Sequence, residues 1–410
     1  MLKRIFCVML CAVLCINVAF VNAVSDTDEG VLVQKIIAEG QIISEIDTAL
    51  IGADPQTLDI KAKSYILADA QSGKILISNN IQEKMPPASI TKIMLLILVM
   101  EDLKSGKISL SDTVTTSEHA NSMGGAQIWL KVGETMSVED LLKAVFISSA
   151  NDATVALAEH IEGSEEAAVN RMNEYAKTLG MTNTNFKNTT GLDEEGHYTT
   201  AEDIMKMSIK LLSFDEIYNY TTIWMDTLRG GETQLVNTNK LIRFYKGATG
   251  LKTGTTSGAG YCLSASAERD GLKLLSVTLG SETTDDRFLS ARRLLDYGFA
   301  NYESTTPKID KALLTPVKVK HGVSQTVDVK VGEMPSIVTQ KGDGKKIETK
   351  VTLFESVTAP VTIGQTLGEI EVILNGETLS KHPITATMSV EKATFWFSLS
   401  QLFKSFVKMI

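Results

Sequence analysis

The stretch KGATGLKTGTTSGAG, residues 246–260, combines several glycines with a lysine and raises the question of phosphate binding. A nucleotide loop of the Walker type needs a glycine directly followed by lysine and then serine or threonine, so that backbone N–H groups and the ammonium group converge on one anion. Leu251 separates Gly250 from Lys252 here, which argues against such a loop. A β-strand carrying lysine and threonine, with Gly254 allowing close backbone approach, would instead form one wall of a cleft.

The sequence around this stretch predicts an α/β (α+β) domain with a largely antiparallel sheet, because the strands come as hairpins and helices lie between them. Residues 65–78 and 261–279 are the two predicted hairpins. A capping-box spacing, Ser137-x-x-Asp140, starts one of the helices. The predicted helical segments are ITKIMLLILVMEDL, beginning at Ser89, then LLKAVFI, then DATVALAEHI after Asn151, and EEAAVNRMNEYAKTLG.

The composition changes after about residue 305. Residues 306–388 alternate apolar and polar positions between turns such as Asn375-Gly376, which predicts a small all-β domain, a β-sandwich. Residues 391–410 return to a helical period with one aromatic and aliphatic face. Their longest uncharged run is too short to cross a bilayer. An amphipathic helix lying on a membrane surface is the favoured interpretation, and a terminal helix docked on its own protein is the alternative.

The first 23 residues have the pattern of a secretory signal peptide, with Lys3 and Arg4 ahead of an apolar run that ends at Ala23. An uncleaved anchor is the competing interpretation. Residues 24–56 form a polar leader. The chain of 410 residues has a formal net charge of -9, which disfavours a nucleic-acid partner. After processing, Cys262 is the one remaining cysteine, predicted to be buried, and the scattered histidines indicate no metal or other cofactor.

The sequence PPASITK places Ser89 and Lys92 in the spacing S-x-x-K. At positions i and i+3 of a helix both side chains share a face, so the lysine amine can reach the serine hydroxyl. A neutral lysine can then act as the general base that activates a nucleophilic serine. Its pKa would have to be lowered by burial or by a second cation, for which Lys252 is the candidate.

A second motif, SSANDA, contains Ser149 and Asn151 in the spacing S-x-N. The serine can transfer a proton and the asparagine amide can hold a substrate amide. The third motif is K-T-G, Lys252 to Gly254. Each motif alone is weak, because Ser405-x-x-Lys408 and Ser78-x-Asn80 match the first two by chance. Their joint occurrence in this order is typical of penicillin-binding proteins and class A β-lactamases.

With these motifs, the segments LKVGETMSVEDLL, GLDEEGHYTTAED and NTNKLIRFYKGATGLKTGTTSGAGYCLSASAERDG closely resemble the low-molecular-weight D-alanyl-D-alanine carboxypeptidases, serine peptidase family S11. The likeness covers residues 57–304 and implies the penicillin-binding, β-lactamase-like transpeptidase fold. The β domain and the amphipathic tail also resemble that family. One departure is Ala150, where glycine is common in the family.

The resemblance implies a cell-wall enzyme on the outer face of the bacterial membrane. Its substrate would be the D-Ala-D-Ala end of a peptidoglycan stem peptide, and β-lactams would inhibit it. Ser89 would form an acyl-enzyme with Lys92 as base, and Ser149 would protonate the leaving D-alanine. Asn151, Lys252, Thr253 and Gly254 would line the substrate, and the N–H groups of Ser89 and Thr255 would hold the oxyanion.

The substrate carboxylate needs a cation, and Arg287 occupies the matching place in the family pattern; a surface ion pair with the two preceding aspartates is the competing interpretation. Two other functions are alternatives for these motifs. A β-lactamase would need a carboxylate for deacylation, but Glu166-Ala-Ala-Val-Asn170 lies in an amphipathic helix and is predicted to be surface. A non-catalytic module that only binds cell-wall peptide is the second, and the three intact motifs count against it.

Overall fold

The computed structural model describes residues 50–400. The predicted signal peptide, most of the leader and residues 401–410 of the predicted tail helix therefore lie outside the described residues. The described chain divides into two compact units, one of residues 50–269 with 273–300 and one of residues 301–400 with 270–272.

The first unit contains a five-stranded sheet and a group of helices. Its strands are β1 (Ser64–Asp69), β2 (Ile75–Asn79), β3 (Thr113–Thr115), β4 (Thr135–Ser137), β5 (Met225–Leu228), β6 (Thr233–Val236), β7 (Ala248–Thr256), β8 (Gly260–Arg269) and β9 (Leu272–Ser281). Its helices are α1 (Lys92–Ser105), α2 (Glu118–Asn121), α3 (Val138–Ser148), α4 (Asn151–Glu162), α5 (Glu165–Thr178), α6 (Ala201–Leu212), α7 (Tyr218–Thr221), α8 (Leu241–Phe244) and α9 (Thr284–Asn301). The α+β prediction is confirmed.

The strand order of the sheet is β2-β1-β9-β8-β7. Strands β1 and β2 pair antiparallel, as do β1 with β9 and β7 with β8. The hairpin predicted over residues 65–78 is thus confirmed, and the strands predicted at 261–267 and 272–279 are slightly longer than expected. Strand β7, which carries K-T-G, lies at one edge of the sheet, where one side of the strand remains free of a neighbouring strand.

Helix α1 is buried on all sides over residues 92–100. Every residue from Lys92 to Val99 has no exposed surface, and a helix that is apolar all round is expected to lie inside a protein. The helix does not begin at Ser89 as predicted, because residues Ala88–Thr91 form a turn of 3-10 helix and α1 follows from Lys92. The start of a buried helix therefore places a lysine in the core.

The predicted start of α3 is confirmed. Ser137 is its N-cap, and the serine hydroxyl accepts a hydrogen bond from the backbone N–H of Asp140 at 3.1 Å. Helix α3 ends at Ser148 and α4 begins at Asn151. The S-x-N motif thus spans the corner between two helices.

The second unit contains strands in three sheets, two turns of 3-10 helix and a helical segment over residues 395–400. The strands are β10 (Tyr302–Thr305), β11 (Val317–Lys320), β12 (Thr326–Val327), β13 (Val329–Val331), β14 (Ile337–Gln340), β15 (Ile347–Leu353), β16 (Ser356–Thr358), β17 (Thr366–Leu374) and β18 (Glu377–Ala386). The predicted small β domain is confirmed.

The β17–β18 hairpin turns at Asn375 and Gly376, both with positive φ, as the two-residue turn requires. The unit begins a few residues before the expected residue 306, because β10 pairs with β14. It also extends past the expected residue 388, since Val390 pairs with Val361. Within residues 50–400, no helix is long and apolar enough to cross a membrane.

Candidate active site

Ser89 and Lys92 are in direct contact. The Lys92 ammonium nitrogen donates to Ser89 Oγ at 2.7 Å and to the Thr190 carbonyl at 2.8 Å. Lys92 has no exposed surface, whereas Ser89 is partly exposed. The 3-10 turn followed by α1 thus presents a serine hydroxyl to solvent and holds a buried amine behind it.

Burial lowers the pKa of Lys92 well below its ordinary value, and the nearby charge of Lys252 lowers it further. Burial likewise lowers the pKa of Lys252, to about 7, with a smaller contribution from Arg287. The Lys252 amine donates to the carbonyl of Thr253 at 3.2 Å. Both lysines can therefore lose their proton far more easily than a lysine in water.

The S-x-N corner has an unusual backbone. Ser149 caps α3 with φ 61° and ψ 28°, a left-handed conformation that is uncommon outside glycine. Ala150, at φ -59°, needs no glycine. Asn151 Nδ2 donates to the Gly124 carbonyl at 2.6 Å, while Asn151 Oδ1 is buried and has no hydrogen-bond partner among the described residues. An unpaired buried acceptor is costly unless a donor arrives to satisfy it.

Gly254 allows β7 to lie against the turn that carries the serine. A Cβ atom at Gly254 would lie 2.9 Å from Ala88 Cβ and 3.0 Å from both the Pro87 carbonyl oxygen and the Ser89 nitrogen. Side chains at this position would push the strand away from Ser89. The glycine of K-T-G is therefore required by the close approach of β7 to the turn.

Thr253 connects the K-T-G strand to the S-x-N corner. Thr253 Oγ1 donates to Thr238 Oγ1 at 2.8 Å, and the backbone N–H of Thr238 donates to the Ile147 carbonyl at 3.0 Å. Ile147 lies in the last turn of α3, two residues before Ser149. Together with the Gly254 contact, this link brings parts of all three motifs into one region.

Arg287 lies in the first turn of α9 and is 6% exposed. Its guanidinium donates to Thr255 Oγ1 at 3.0 Å and to the Gly254 carbonyl at 3.3 Å. Burial lowers the pKa of Arg287 to about 10. The interpretation of Arg287 as a surface ion pair is wrong, because the side chain is buried and forms no salt bridge within residues 50–400. Thr255 itself is exposed, with the buried cation behind its hydroxyl.

The carboxylate of the β-lactamase alternative is not in this region. Glu166 and Asn170 are both exposed on α5, as predicted for helix surface. Cys262 is buried, also as predicted, and burial raises the pKa of its thiol to about 11.

A loop over residues 188–199 contributes to the site and was not assigned any role from the sequence. Its Thr190 carbonyl accepts from Lys92, and Gly191, at φ 84°, packs so tightly that a Cβ there would lie 1.8 Å from the Ala88 carbonyl oxygen. Asp193 accepts hydrogen bonds from the end of β7, by Thr256 Oγ1 at 2.6 Å, and from the turn after it, by the Gly258 N–H at 3.0 Å. The loop therefore joins the Ser89 turn to the K-T-G strand.

His197 fixes the other end of the same loop. Its Nδ1 accepts from the Lys187 N–H at 3.2 Å, so Nε2 carries the proton and donates to Thr91 Oγ1 at 2.9 Å. Burial lowers the pKa of His197 to about 4, which keeps the ring neutral. The glycines and the aspartate of GLDEEGH are the residues from which a role for this loop could be suspected. The role of the Thr190 carbonyl cannot be inferred from residue types, because every residue has a carbonyl.

Comparison with known proteins identifies the family. The family of D-alanyl-D-alanine carboxypeptidases, peptidase S11, matches residues 51–283, and the C-terminal domain of penicillin-binding protein 5 matches residues 302–392. The D-alanyl-D-alanine carboxypeptidase DacF of Bacillus subtilis is 43% identical over 339 residues, 82% of this chain and 87% of that protein. The chain belongs to the D-alanyl-D-alanine carboxypeptidase family.

Solved structures of this carboxypeptidase family and its relatives agree in fold. Penicillin-binding protein 5 from Haemophilus influenzae has a TM-score of 0.71 at 32% identity and covers 83% of this chain and 99% of that one. Penicillin-binding protein D2 from Listeria monocytogenes, solved in its ampicillin-bound form, has a TM-score of 0.55 at 31% identity over 59% of this chain and 99% of that one. The chain is a serine-type D-Ala-D-Ala carboxypeptidase with the transpeptidase fold, and it acts outside the cytoplasm.

Proposed function

We propose that Ser89 is the nucleophile that removes the terminal D-alanine from peptidoglycan stem peptides through an acyl-enzyme. The observation that carries this proposal is the 2.7 Å contact between Ser89 Oγ and the amine of the fully buried Lys92. A lysine with a lowered pKa can be neutral near pH 7 and can accept the serine proton. No other S-x-x-K pair within the described residues has this arrangement.

In the proposed reaction, Ser89 Oγ attacks the carbonyl of the D-Ala-D-Ala peptide bond while Lys92 takes its proton. The resulting oxyanion accepts hydrogen bonds from the N–H groups of Ser89 and Thr255. The C–N bond then breaks, and Ser149, assisted by Lys252, supplies the proton to the leaving D-alanine amine. Water attacks the acyl-enzyme ester in the second half of the reaction and regenerates the Ser89 hydroxyl.

Substrate binding involves both sides of the cleft. We infer that Asn151 Oδ1, which lacks a partner among the described residues, accepts an N–H of the peptide. The terminal carboxylate of the substrate binds the exposed hydroxyl of Thr255, and Arg287 supplies the positive charge from behind. Thr253 and Gly254 hold the strand in place for these contacts, as their own packing supports.

We propose that β-lactams acylate the same serine. Their ring carbonyl is attacked in place of the peptide carbonyl, and no leaving group departs from the site. Two observations support this proposal: the ampicillin-bound form of the similar Listeria protein and the exposed position of Glu166, which leaves no carboxylate of that motif to drive rapid deacylation.

The domain and membrane assignments are also proposals. We propose a cleaved signal peptide at 1–23, a leader at 24–56 ahead of the catalytic domain, and a membrane-binding amphipathic helix at 391–410 after the β-sandwich domain. Residues 395–400 are helical, and Phe395 and Trp396 are about three-quarters exposed, at 73% and 74%. Aromatic side chains of this kind are suited to the headgroup region of a membrane.

D-alanine release from a peptide ending in Lys-D-Ala-D-Ala tests the catalytic proposal. The processed protein should release D-alanine, and the Ser89→Ala variant should release at least about 10³-fold less and form no penicillin adduct, because it lacks the nucleophile. Equal release by the variant would refute the serine mechanism. A wild-type protein that forms a stable adduct but releases nothing would favour the peptide-binding alternative.

Sedimentation with anionic lipid vesicles tests the membrane proposal. The processed protein should pellet with the vesicles, and a Phe395→Ser, Trp396→Ser double variant should remain in the supernatant while retaining full D-alanine release. Vesicle binding that is unchanged in the double variant would contradict the anchor and favour a helix docked on its own protein.

A further inference from the structure

An exposed tryptophan lies next to the S-x-N corner and has no role in the reaction above. Trp129 is 74% exposed, and among the described residues of the first unit no large apolar side chain is more exposed. Its neighbours Ile128 and Leu130 are buried. Trp129 and the exposed Val132 of the same loop form an apolar surface rimmed by polar residues, and such surfaces mark interaction sites.

Trp129 lines a groove of about 830 Å³. Val132, also exposed, lies on the same loop, and Arg229, Thr233 and Gln234 come from the β5–β6 hairpin. Lys131 adds a second cation. The groove thus places one aromatic and one aliphatic side chain among charged and polar side chains, including the carboxylates of Glu134 and Glu232, and this mixture suits a polar ligand that has one apolar face.

Arg229 holds the two sides of this groove together. Its Nε donates to Glu134 at 2.7 Å, and its Nη1 donates to the Ile128 carbonyl at 2.9 Å and to Thr233 Oγ1 at 2.7 Å. Its Nη2 is buried and has no acceptor among the described residues. The guanidinium therefore fixes the loop that carries Trp129 against the hairpin and retains one unpaired donor.

Two residues of the groove have a strained backbone. Trp129 has φ 59° and Arg229 has φ 53°, in the left-handed region that bulky residues rarely occupy. Such conformations persist only where the surrounding structure imposes them, and they concentrate at functional sites. Their occurrence on both sides of one groove is the second, independent indication that the groove has a function.

The loop that carries Trp129 is hydrogen-bonded to the start of α4, beside the proposed substrate site. The Asn151 N–H donates to the Ala126 carbonyl at 2.6 Å, and Asp152, the next residue, accepts from the N–H groups of Ile128 at 3.2 Å and Leu130 at 3.0 Å. Trp129 lies between the last two. The residue that would hold the substrate peptide and the tryptophan are therefore parts of one hydrogen-bonded frame.

We propose that this groove binds the sugar end of a glycan-linked substrate, with a pyranose ring packed on the indole of Trp129. This inference rests on the proposed function, because a stem peptide of peptidoglycan carries an amino-sugar chain at the end opposite to D-Ala-D-Ala. One face of a pyranose presents C–H groups that suit an aromatic surface. Its hydroxyl and acetamido groups find polar partners in Arg229, Lys131 and Gln234.

The test compares two substrates that share the same peptide. One is a free pentapeptide ending in Lys-D-Ala-D-Ala, and the other is that pentapeptide linked to the disaccharide of N-acetylglucosamine and N-acetylmuramic acid. We expect the wild-type protein to favour the linked substrate roughly tenfold in kcat/KM, since aromatic contacts of this size are worth about one factor of ten. The Trp129→Ala variant should lose this preference and retain its kcat/KM on the free peptide.

Control variants separate sugar binding from a structural role. Trp129→Phe keeps an aromatic surface and should restore part of the preference, and Leu110→Ala, which removes another exposed apolar side chain, should leave it unchanged. The inference is overturned if wild type shows no preference, if Trp129→Ala retains it, or if Trp129→Ala slows both substrates equally.

A direct binding measurement keeps the inference testable if the carboxypeptidase proposal itself fails. In the Ser89→Ala protein, which cannot form an acyl-enzyme, the disaccharide alone should change the tryptophan fluorescence. The change should disappear in the Ser89→Ala, Trp129→Phe double variant. A fluorescence change that persists in the double variant, or none in the single variant, would contradict sugar binding at Trp129, whatever the enzyme's activity.

Discussion

Two sets of cationic side chains, one in each unit, are held in opposite ways. In the first unit, Lys92, Lys252 and Arg287 lie buried near one another, and none of them forms a salt bridge within the described residues. In the second unit, Lys381 lies exposed on β18 and pairs with Glu369 at 2.9 Å and Glu371 at 2.6 Å on the neighbouring strand. The three buried cations lose their hydration and gain no carboxylate partner. The exposed Lys381 keeps most of its hydration.

The pKa directions follow from this difference. Burial lowers the pKa of Lys92, Lys252 and Arg287, whereas hydrogen bonds to Glu371 and then Glu369 raise the pKa of Lys381. A lysine of the first kind can exchange protons near neutral pH, and a lysine of the second kind stays charged. Buried, unpaired cations in a cleft therefore indicate chemistry, and exposed pairs indicate ordinary surface.

The largest effect is expected at Lys92. The Lys92→Met variant should acylate roughly 10²–10⁴-fold more slowly, because it lacks the base that takes the serine proton. In the wild type the acylation rate should rise with pH as Lys92 loses its proton, since only the neutral amine is a base. Penicillin acylation measured across pH checks both expectations. Lys92→Arg, which stays charged, should be as slow as Lys92→Met; an active arginine variant would contradict the base role.

Replacing Lys252 by methionine should make the protein more stable and less active. At neutral pH the folded protein binds fewer protons at Lys252 than the unfolded chain does, because the pKa is about 7 in the fold and about 10.4 in a free lysine. The free energy of unfolding should therefore rise with pH between these values. Lys252→Met should be more stable than wild type by about 1–4 kcal/mol at pH 7, since a buried charge is replaced by an apolar side chain.

Denaturant unfolding at pH 7 and again near pH 10 measures this prediction. The stability difference between Lys252→Met and wild type should shrink at the higher pH, where the lysine is neutral in the fold. Lys273→Met, on strand β9 of the same sheet with a partly exposed side chain, is the matched control and should change the stability at pH 7 far less than Lys252→Met does. If the Lys252→Met protein were less stable than wild type at pH 7, the buried ammonium group of Lys252 would be stabilised by its surroundings, and the prediction would be wrong.

Arg287 should affect recognition of the substrate carboxylate. The Arg287→Gln variant should lose roughly 10- to 100-fold in kcat/KM on peptides ending in a free carboxylate, because hydrogen bonds to charged groups contribute about 1.5–3 kcal/mol. Peptides with a C-terminal carboxamide, which lack that charge, should be hydrolysed by variant and wild type at similar low rates. An equal loss on both peptides would assign Arg287 to the packing of Thr255 alone.

The sequence predicted the local parts of this site better than the distant ones. The Ser89–Lys92 contact follows from i, i+3 spacing, and the β17–β18 turn follows from Asn375-Gly376, since both depend on neighbouring residues. The sequence does not decide between a buried and a surface Arg287, because the burial of this side chain depends on how α9 packs beside β7. The Thr190 carbonyl could not be predicted, because every residue has a carbonyl and only the fold selects which one meets Lys92.

The smallest effect is expected at Lys381, the exposed cation that is paired with two carboxylates. The Lys381→Gln variant should unfold at the same temperature as wild type within error, because exposed ion pairs are screened by water and gain little over solvated charges. D-alanine release should also be unchanged. Thermal unfolding at low and at high salt checks the first expectation. If Lys381→Gln lowered the unfolding temperature as much as a core substitution, exposed pairing would be a real source of stability here, and the contrast between the two kinds of cation would rest on pKa alone.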